Sequence, residues 1–330
     1  MSYMSCLLVK RLRGSVMVCF IFFACFGFVA PAIAENGKPA SVNILVSVRP
    51  VALLVEDLLE RTGLADKIAV DVLLPAGASP HHLSLKVSDI RRVQQADLLV
   101  WVGEPLENYL TPVIALHRAT KPTIELITLN KLHRTEAGHR HGHNHNEGSG
   151  GDPHIWLDPD NAAIIARAVA VQLKTLIARD VSVDFDVASA DQERAALDSA
   201  VVDYVQSLAV AREAVRVRLA QVANEKNAVA VYHDSLGHYV HQFDIRQQAA
   251  LTEVPDEQVG MRSLIQYQKQ GKPSCLLADR GELVAAEGYA KKLGWRLVTF
   301  DLLAQDTEVN TYLKYIDSIT DAFETCLGFE

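Results

Sequence analysis

The stretch VASADQERAALDSAVVDYVQSLAVAREAVRVRLAQVAN, residues 187–224, holds no glycine or proline, and neither residue occurs anywhere in 160–236. Within it Leu197, Val201, Val205, Leu208, Ala211, Val215, Leu219 and Val222 recur at steps of three and four, an apolar stripe along one helix face. A helix of about 36 residues is about 54 Å long, more than one small domain is wide, so this one is expected to span two lobes. Two helices with an unrecognised turn are the alternative. The unbroken stripe and the absence of a capping glycine favour one continuous rod. A helix over 161–178 is expected to precede it, separated by the Asp, Ser and β-branched residues of RDVSVD, 179–184.

Outward from the rod, both flanks alternate short apolar runs with stretches of helical period. Before it, 42–48, 69–74, 97–102 and 122–127 are rich in Val, Ile and Leu and are expected as buried strands, with helices over 50–61, 86–95 and 105–116. After it, 228–232, 275–278 and 296–300 are expected as strands, 247–251 as an edge strand, and 311–327 as the closing helix. The fold class is therefore α/β: two lobes, each a parallel sheet flanked by helices, joined by one long rigid helix. The division is a leader over 1–34, one lobe over 35–186, the rod over 187–224 and a second lobe over 225–330.

Lys10, Arg11 and Arg13, an apolar run over 16–30 and Ala32-Ile33-Ala34 form the three parts of a secretory signal peptide cut after Ala34. A run of about fifteen apolar residues falls short of the roughly twenty needed to cross a bilayer. Cys25 as a lipid-attachment site is the alternative. Cleavage leaves about 296 residues, enough for two domains. It also leaves Cys275 and Cys326 as the remaining cysteines of an exported chain, where an oxidising compartment favours their pairing. No later stretch reads as long and apolar enough to span a membrane, so the mature protein is expected to be soluble. The net charge of −8 argues against a nucleic-acid partner.

The histidines fall into two kinds. His139, His141, His143 and His145 alternate with Arg, Gly and Asn inside a polar tract, 135–149, whose composition suits loose metal binding or plain solvation. His81, His154 and His233, with Asp301, instead lie in or beside loops at the carboxyl ends of expected strands, the side on which parallel sheets bind ligands. Three imidazoles and a carboxylate suit a tetrahedral Zn²⁺, although no short spacing such as H-E-x-x-H links them. Such ligands bind metal only when deprotonated, so affinity is expected to fall below about pH 6.5.

The segments LLPAGASPHHLSL (73–85), ADLLVWVGEPLENYL (96–110), DPHIWLDP (152–159), VYHDSLGHYVHQF (231–243) and RLVTFDLL (296–303) resemble, in order, those of the solute-binding proteins of zinc and manganese ABC importers. The zinc branch of the ZnuA type is the most similar. The resemblance implies a periplasmic receptor, not an enzyme, that holds Zn²⁺ in an interlobe cleft as a monomer and passes it to a membrane permease. It places His81, His154 and His233 on the first three ligand positions and Asp301 on the fourth, a place that water takes in some members. Where manganese members carry glutamate, this chain has His233, which favours zinc. The resemblance also puts Cys275 and Cys326 where the family carries a disulfide. A manganese or iron receptor, an exported zinc hydrolase and a metal-dependent adhesin are the alternatives. His238 and His241 are expected to serve beside the site or at the surface.

Overall fold

The computed structural model describes residues 42–135, 151–179, 187–224, 227–255 and 257–328, all within one compact unit. The expected leader over 1–34, residues 180–184 of the expected break and His139, His141, His143 and His145 lie outside the described residues; Arg179 of that break ends α5.

The chain begins β1 (Val42–Val46), α1 (Arg49–Thr62), β2 (Ile68–Val72), α2 (Val87–Gln95), β3 (Leu98–Trp101), α3 (Glu104–Glu107), α4 (Thr111–Arg118) and β4 (Thr123–Glu125). These strands form a parallel sheet of order β2-β1-β3-β4, with Val42 opposite Ile68 and Ile44 opposite Leu98. After α5 (Pro159–Arg179) and α6 (Val187–Leu219), the pattern repeats with β5 (Val229–His233), α7 (Gly237–Gln242), β6 (Gln247–Thr252), α8 (Met261–Lys269), β7 (Cys275–Asp279), α9 (Leu283–Leu293), β8 (Leu297–Phe300) and α10 (Tyr312–Leu327). The second sheet is also parallel, of order β6-β5-β7-β8. Each order reverses beside its first strand, which opens a crevice at the carboxyl ends of β1 and β3 and of β5 and β7.

The rod is present. At 33 residues α6 is about 50 Å long and packs on α1 and α5 on one side and on α10, which covers the second sheet, on the other. Leu197, Tyr204, Leu208, Val215 and Leu219 are buried along it, while Val202, Val210 and Val217 face outward. Tyr204 lies off the expected stripe. Its hydroxyl donates to Asp57 Oδ2 at 2.9 Å, and the Tyr312 N–H reaches the same oxygen at 3.0 Å, so one carboxylate of α1 ties α6 to the start of α10.

The strand over 247–251 lies at the edge, as expected: β6 pairs with β5 at the end of the order β6-β5-β7-β8. Two expectations change. The helix over 105–116 is two helices, α3 and α4, parted by a tight turn over Asn108–Leu110, where Pro112 lacks the N–H that would bond the Asn108 carbonyl. One later stretch does pass the membrane test by length and composition, Pro159–Ala178 with mean hydropathy 1.3. Half of it is buried against the rest of the protein, as befits a core helix packed on α1 and α6. Cys275, at the start of β7, is bonded to Cys326 of α10 with Cα atoms 5.4 Å apart, which fastens the last helix over the second sheet.

Candidate metal centre

His81, His154 and His233 reach one place from three separate loops. His81 lies in the loop after β2, and its backbone N–H is held by Ser79 Oγ at 3.2 Å. His233 is the last residue of β5. His154 opens a short 3-10 turn, Ile155–Leu157, that leads into α5. There Asp158 Oδ1 accepts the Asp160 N–H at 2.7 Å and Pro159 takes the first helical position, so the turn is set by a cap and a proline.

One potential ligand atom from each of the three imidazoles lies within 4.8 Å of the others, and the ring centroids are 5.1 to 5.6 Å apart. His154 Nε2, His81 Nε2 and both ring nitrogens of His233 are buried without a hydrogen-bond partner. Leaving buried polar atoms unmet costs about 1–3 kcal/mol each. A convergent set of unmet imidazole nitrogens is what a metal ion satisfies, and neutral nitrogen donors suit zinc.

Burial keeps two of these donors, His81 and His233, neutral. Burial, then the neighbouring His154 and His233, lower the His81 pKa to about 3. Burial lowers His233 to about 4, against the opposing pull of Asp152, Asp234 and Asp279. His154 has a carboxylate behind it: its Nδ1 donates to Asp152 Oδ1 at 2.7 Å, and its backbone N–H donates to the same oxygen at 3.0 Å. That bond fixes the tautomer that turns Nε2 toward the other imidazoles. Burial works to raise the Asp152 carboxyl, but the charge and hydrogen bonds of His154, with His238 nearby, hold it at about 2.

Asp152 is itself held. His238, buried on α7, donates from Nε2 to the Asp152 carbonyl at 2.9 Å. A Cβ on Gly237 would stand 2.7 Å from Asp152 Oδ2, so the glycine makes room for the carboxylate. Trp156 packs edge-on to His154 with centroids 5.3 Å apart and donates from Nε1 to the Tyr315 hydroxyl, which donates to Leu302 O at 2.7 Å. The turn carrying His154 is thereby linked to the segment that follows Asp301. Asp152 acts through His154, so Asp152→Asn is expected to weaken metal binding about 10–100-fold with the fold retained, checked by competitive zinc titration and circular dichroism.

Asp301 stands just beyond β8, largely buried, but lies outside the three-imidazole group; its Oδ2 accepts the Asp306 N–H at 2.8 Å. The loops bearing His81 and Asp301 meet across the cleft, where the Gly77 N–H donates to Gln305 Oε1 at 3.0 Å beside a groove of about 370 Å³. A second group, His133, Asp158 and Asp160, is already bonded: His133 Nδ1 donates to Asp158 Oδ2 at 2.9 Å, and Arg212 grips both oxygens of Asp160. His82 is exposed. Two of the site's supports were open to sequence reading: an aspartate two residues before a candidate ligand is a signal, and so is His238 at the start of the helix after His233. Glu282, whose Oε1 is 3.4 Å from His233 Nδ1, gave none.

Two parallel-sheet lobes, a helical rod and imidazoles converging from both lobes define a two-lobe metal-binding protein. The fold is shared with a crystal structure of a zinc-bound ZnuA 138-173 deletion mutant, at TM-score 0.67 and 17% identity over 88% of this chain and 99% of that one. It is shared equally with the periplasmic zinc binding protein TroA from Treponema pallidum, at TM-score 0.68 and 15% identity over 87% and 99%. The chain belongs to the family described as zinc-uptake complex component A, periplasmic, whose model matches residues 44–326. It is 25% identical to the high-affinity zinc uptake system protein ZnuA of Haemophilus influenzae, over 91% of this chain and 97% of the relative. Against the protein of the same name from Yersinia pestis the identity is 24%, over 87% and 92%.

Proposed function

We propose that this protein is the periplasmic zinc receptor of an ABC importer, and that His81, His154 and His233 hold a single Zn²⁺ in the cleft. The observation that carries the reading is the set of buried, unpartnered imidazole nitrogens within 4.8 Å of one another. The fourth position of a tetrahedral site falls to Asp301 or to water. The receptor acts as a monomer, carries out no reaction, and releases the ion to a membrane permease.

The same reading takes 1–34 as a leader removed after Ala34, 35–186 and 225–330 as the two lobes and 187–224 as the rod between them. A metal-free sample is expected to bind one Zn²⁺ tightly per chain and to keep it in the presence of excess Mn²⁺, because nitrogen donors favour zinc over manganese. Calorimetric competition checks this, and displacement of zinc by equimolar Mn²⁺ would overturn it.

His139, His141, His143 and His145 would add weak sites that gather zinc near the cleft. Two anchors support a peripheral role. The Asp152 N–H donates to Thr135 O at 3.2 Å, so the chain flanking 136–150 is closed off by a backbone bond. The Asn161 side chain pins the chain that leads to Thr135, its Oδ1 accepting the His133 N–H and its Nδ2 donating to the His133 carbonyl. Deleting 136–150 is therefore expected to leave one tight ion per chain and remove the weaker ones, as read by titration beyond one equivalent.

A further inference from the structure

We propose that Glu282 is a positioning residue for His233, the counterpart in the second lobe of Asp152 behind His154. The proposal rests on the zinc-site reading above and extends it to how the third ligand is aimed.

The placement follows from the second sheet. β5 and β7 are adjacent and parallel, with Val231 opposite Leu277, so His233 at the end of β5 comes level with Asp279 at the end of β7. Immediately beyond, residues 280–282 form a 3-10 turn closed by reciprocal caps: Asp279 Oδ2 accepts the Gly281 N–H at 2.9 Å, and Glu282 Oε2 accepts the Asp279 N–H at 3.2 Å. The turn thus fixes one carboxylate oxygen of Glu282 on the backbone and leaves Oε1 directed at the imidazole, 3.4 Å from His233 Nδ1.

Both side chains are nearly closed to solvent, 2% exposed for His233 and 10% for Glu282. A buried Nδ1–H without an acceptor is unfavourable, and a shift of the ring by about 0.3 Å brings it within hydrogen-bond distance of Glu282 Oε1. With the proton held on Nδ1, Nε2 presents its lone pair to the ion. A carboxylate behind the ring also raises its strength as a donor. The first lobe achieves this with Asp152 two residues before its histidine; the second achieves it across two neighbouring strands. Both lobes then contribute a carboxylate–imidazole pair to one ion, and the two pairs come together only when the lobes are apposed.

The test is a double-mutant cycle with Glu282→Gln and His233→Ala, read by competitive zinc titration, with wild type measured alongside. Gln keeps the cap on the Asp279 N–H and removes the charge. Zinc affinity is expected to fall about 10-fold in Glu282→Gln and to change less than about twofold when the same substitution is made in His233→Ala, since the effect travels through the ring. In the metal-free protein, long-range ¹H–¹⁵N spectra of the imidazoles are expected to show His233 protonated at Nδ1 in wild type, and to shift toward the Nε2–H tautomer in Glu282→Leu. If wild type binds no tight zinc, the site reading itself fails. If wild type binds zinc but Glu282→Gln matches it, or weakens binding equally in the His233→Ala background, the positioning role is overturned while the site stands. An unchanged tautomer in a folded Glu282→Leu overturns it as well.

Discussion

A variant with His81, His154 and His233 all replaced by alanine is expected to bind no zinc tightly while keeping its fold. Tetrahedral zinc sites in small structural domains are worth about 10–16 kcal/mol over four ligands, so three imidazoles account for about 10 kcal/mol, far more than any single supporting residue. Folding is expected to survive because the three side chains lie in loops or at a strand end, and their inward nitrogens bond nothing in the protein. His154 gives up a real bond, to Asp152 Oδ1 at 2.7 Å, so its replacement leaves a buried carboxylate short of a partner and lowers stability modestly. Equilibrium dialysis with ⁶⁵Zn and far-ultraviolet circular dichroism separate loss of the site from loss of the fold. Stoichiometric zinc in a folded triple variant would place the tight site elsewhere.

The second large effect is on pH. With folded-state values near 3 for His81 and near 4 for His233, both against an ordinary histidine value of 6.5, the unfolded chain takes up protons below pH 6.5 that the folded chain refuses. Stability therefore rises with pH across that range, is complete above about pH 6.5, and declines as pH falls from there toward 4, by at most about 1.4 kcal/mol per unit for each group. Metal-free protein is expected to melt at progressively lower temperature from pH 7 to pH 4.5, and the triple-alanine variant to show a flatter profile because its linkage is gone.

Zinc raises the stability of wild type across this range without removing its slope, since it binds the folded state with neutral rings and the unfolded chain still takes up protons. Competition from protons at His81 and His233 also begins lower than the pH 6.5 that free histidine suggests, so the loaded protein is expected to retain its ion at pH 5.5. Calorimetry across pH with and without zinc reads both effects; a metal-free melting temperature independent of pH, or release of zinc already at pH 6.5, would contradict the burial of the site.

Much of the architecture was legible because strand and helix advertise themselves by local pattern. The Val-, Ile- and Leu-rich runs became the eight strands of the two four-stranded sheets, and the glycine-free stripe of Leu197, Leu208, Val215 and Leu219 became the buried face of α6. Where local pattern competed with a single residue, the residue won, as at Pro112. Side-chain chemistry added what the stripe left out: Tyr204, off the stripe, is buried with its hydroxyl bonded to Asp57, while Val202 and Val210, also off it, are exposed.

His81 and His233 could be singled out because each stands at or beyond a strand's carboxyl end, a rule that needs only strand positions, and His154 because Pro153 and the apolar Ile155-Trp156-Leu157 hold its backbone. Asp301 satisfies the same rule as His81 and His233; its Oδ2 also accepts a backbone N–H of its own loop, a bond that strand positions do not encode. Glu282 and the Trp156–Tyr315 link escaped for a related reason. Their contacts arise from the register of β5 against β7 and from the docking of α10, which bring together residues distant in the chain.

The most direct test of convergence on one ion is diffraction from zinc-loaded crystals at wavelengths on either side of the zinc edge. One anomalous peak per chain is expected in the cleft, about 2.0–2.1 Å from a single nitrogen of each of His81, His154 and His233. A peak that leaves any one of the three imidazoles out of contact, or separate peaks on the two lobes, would contradict it.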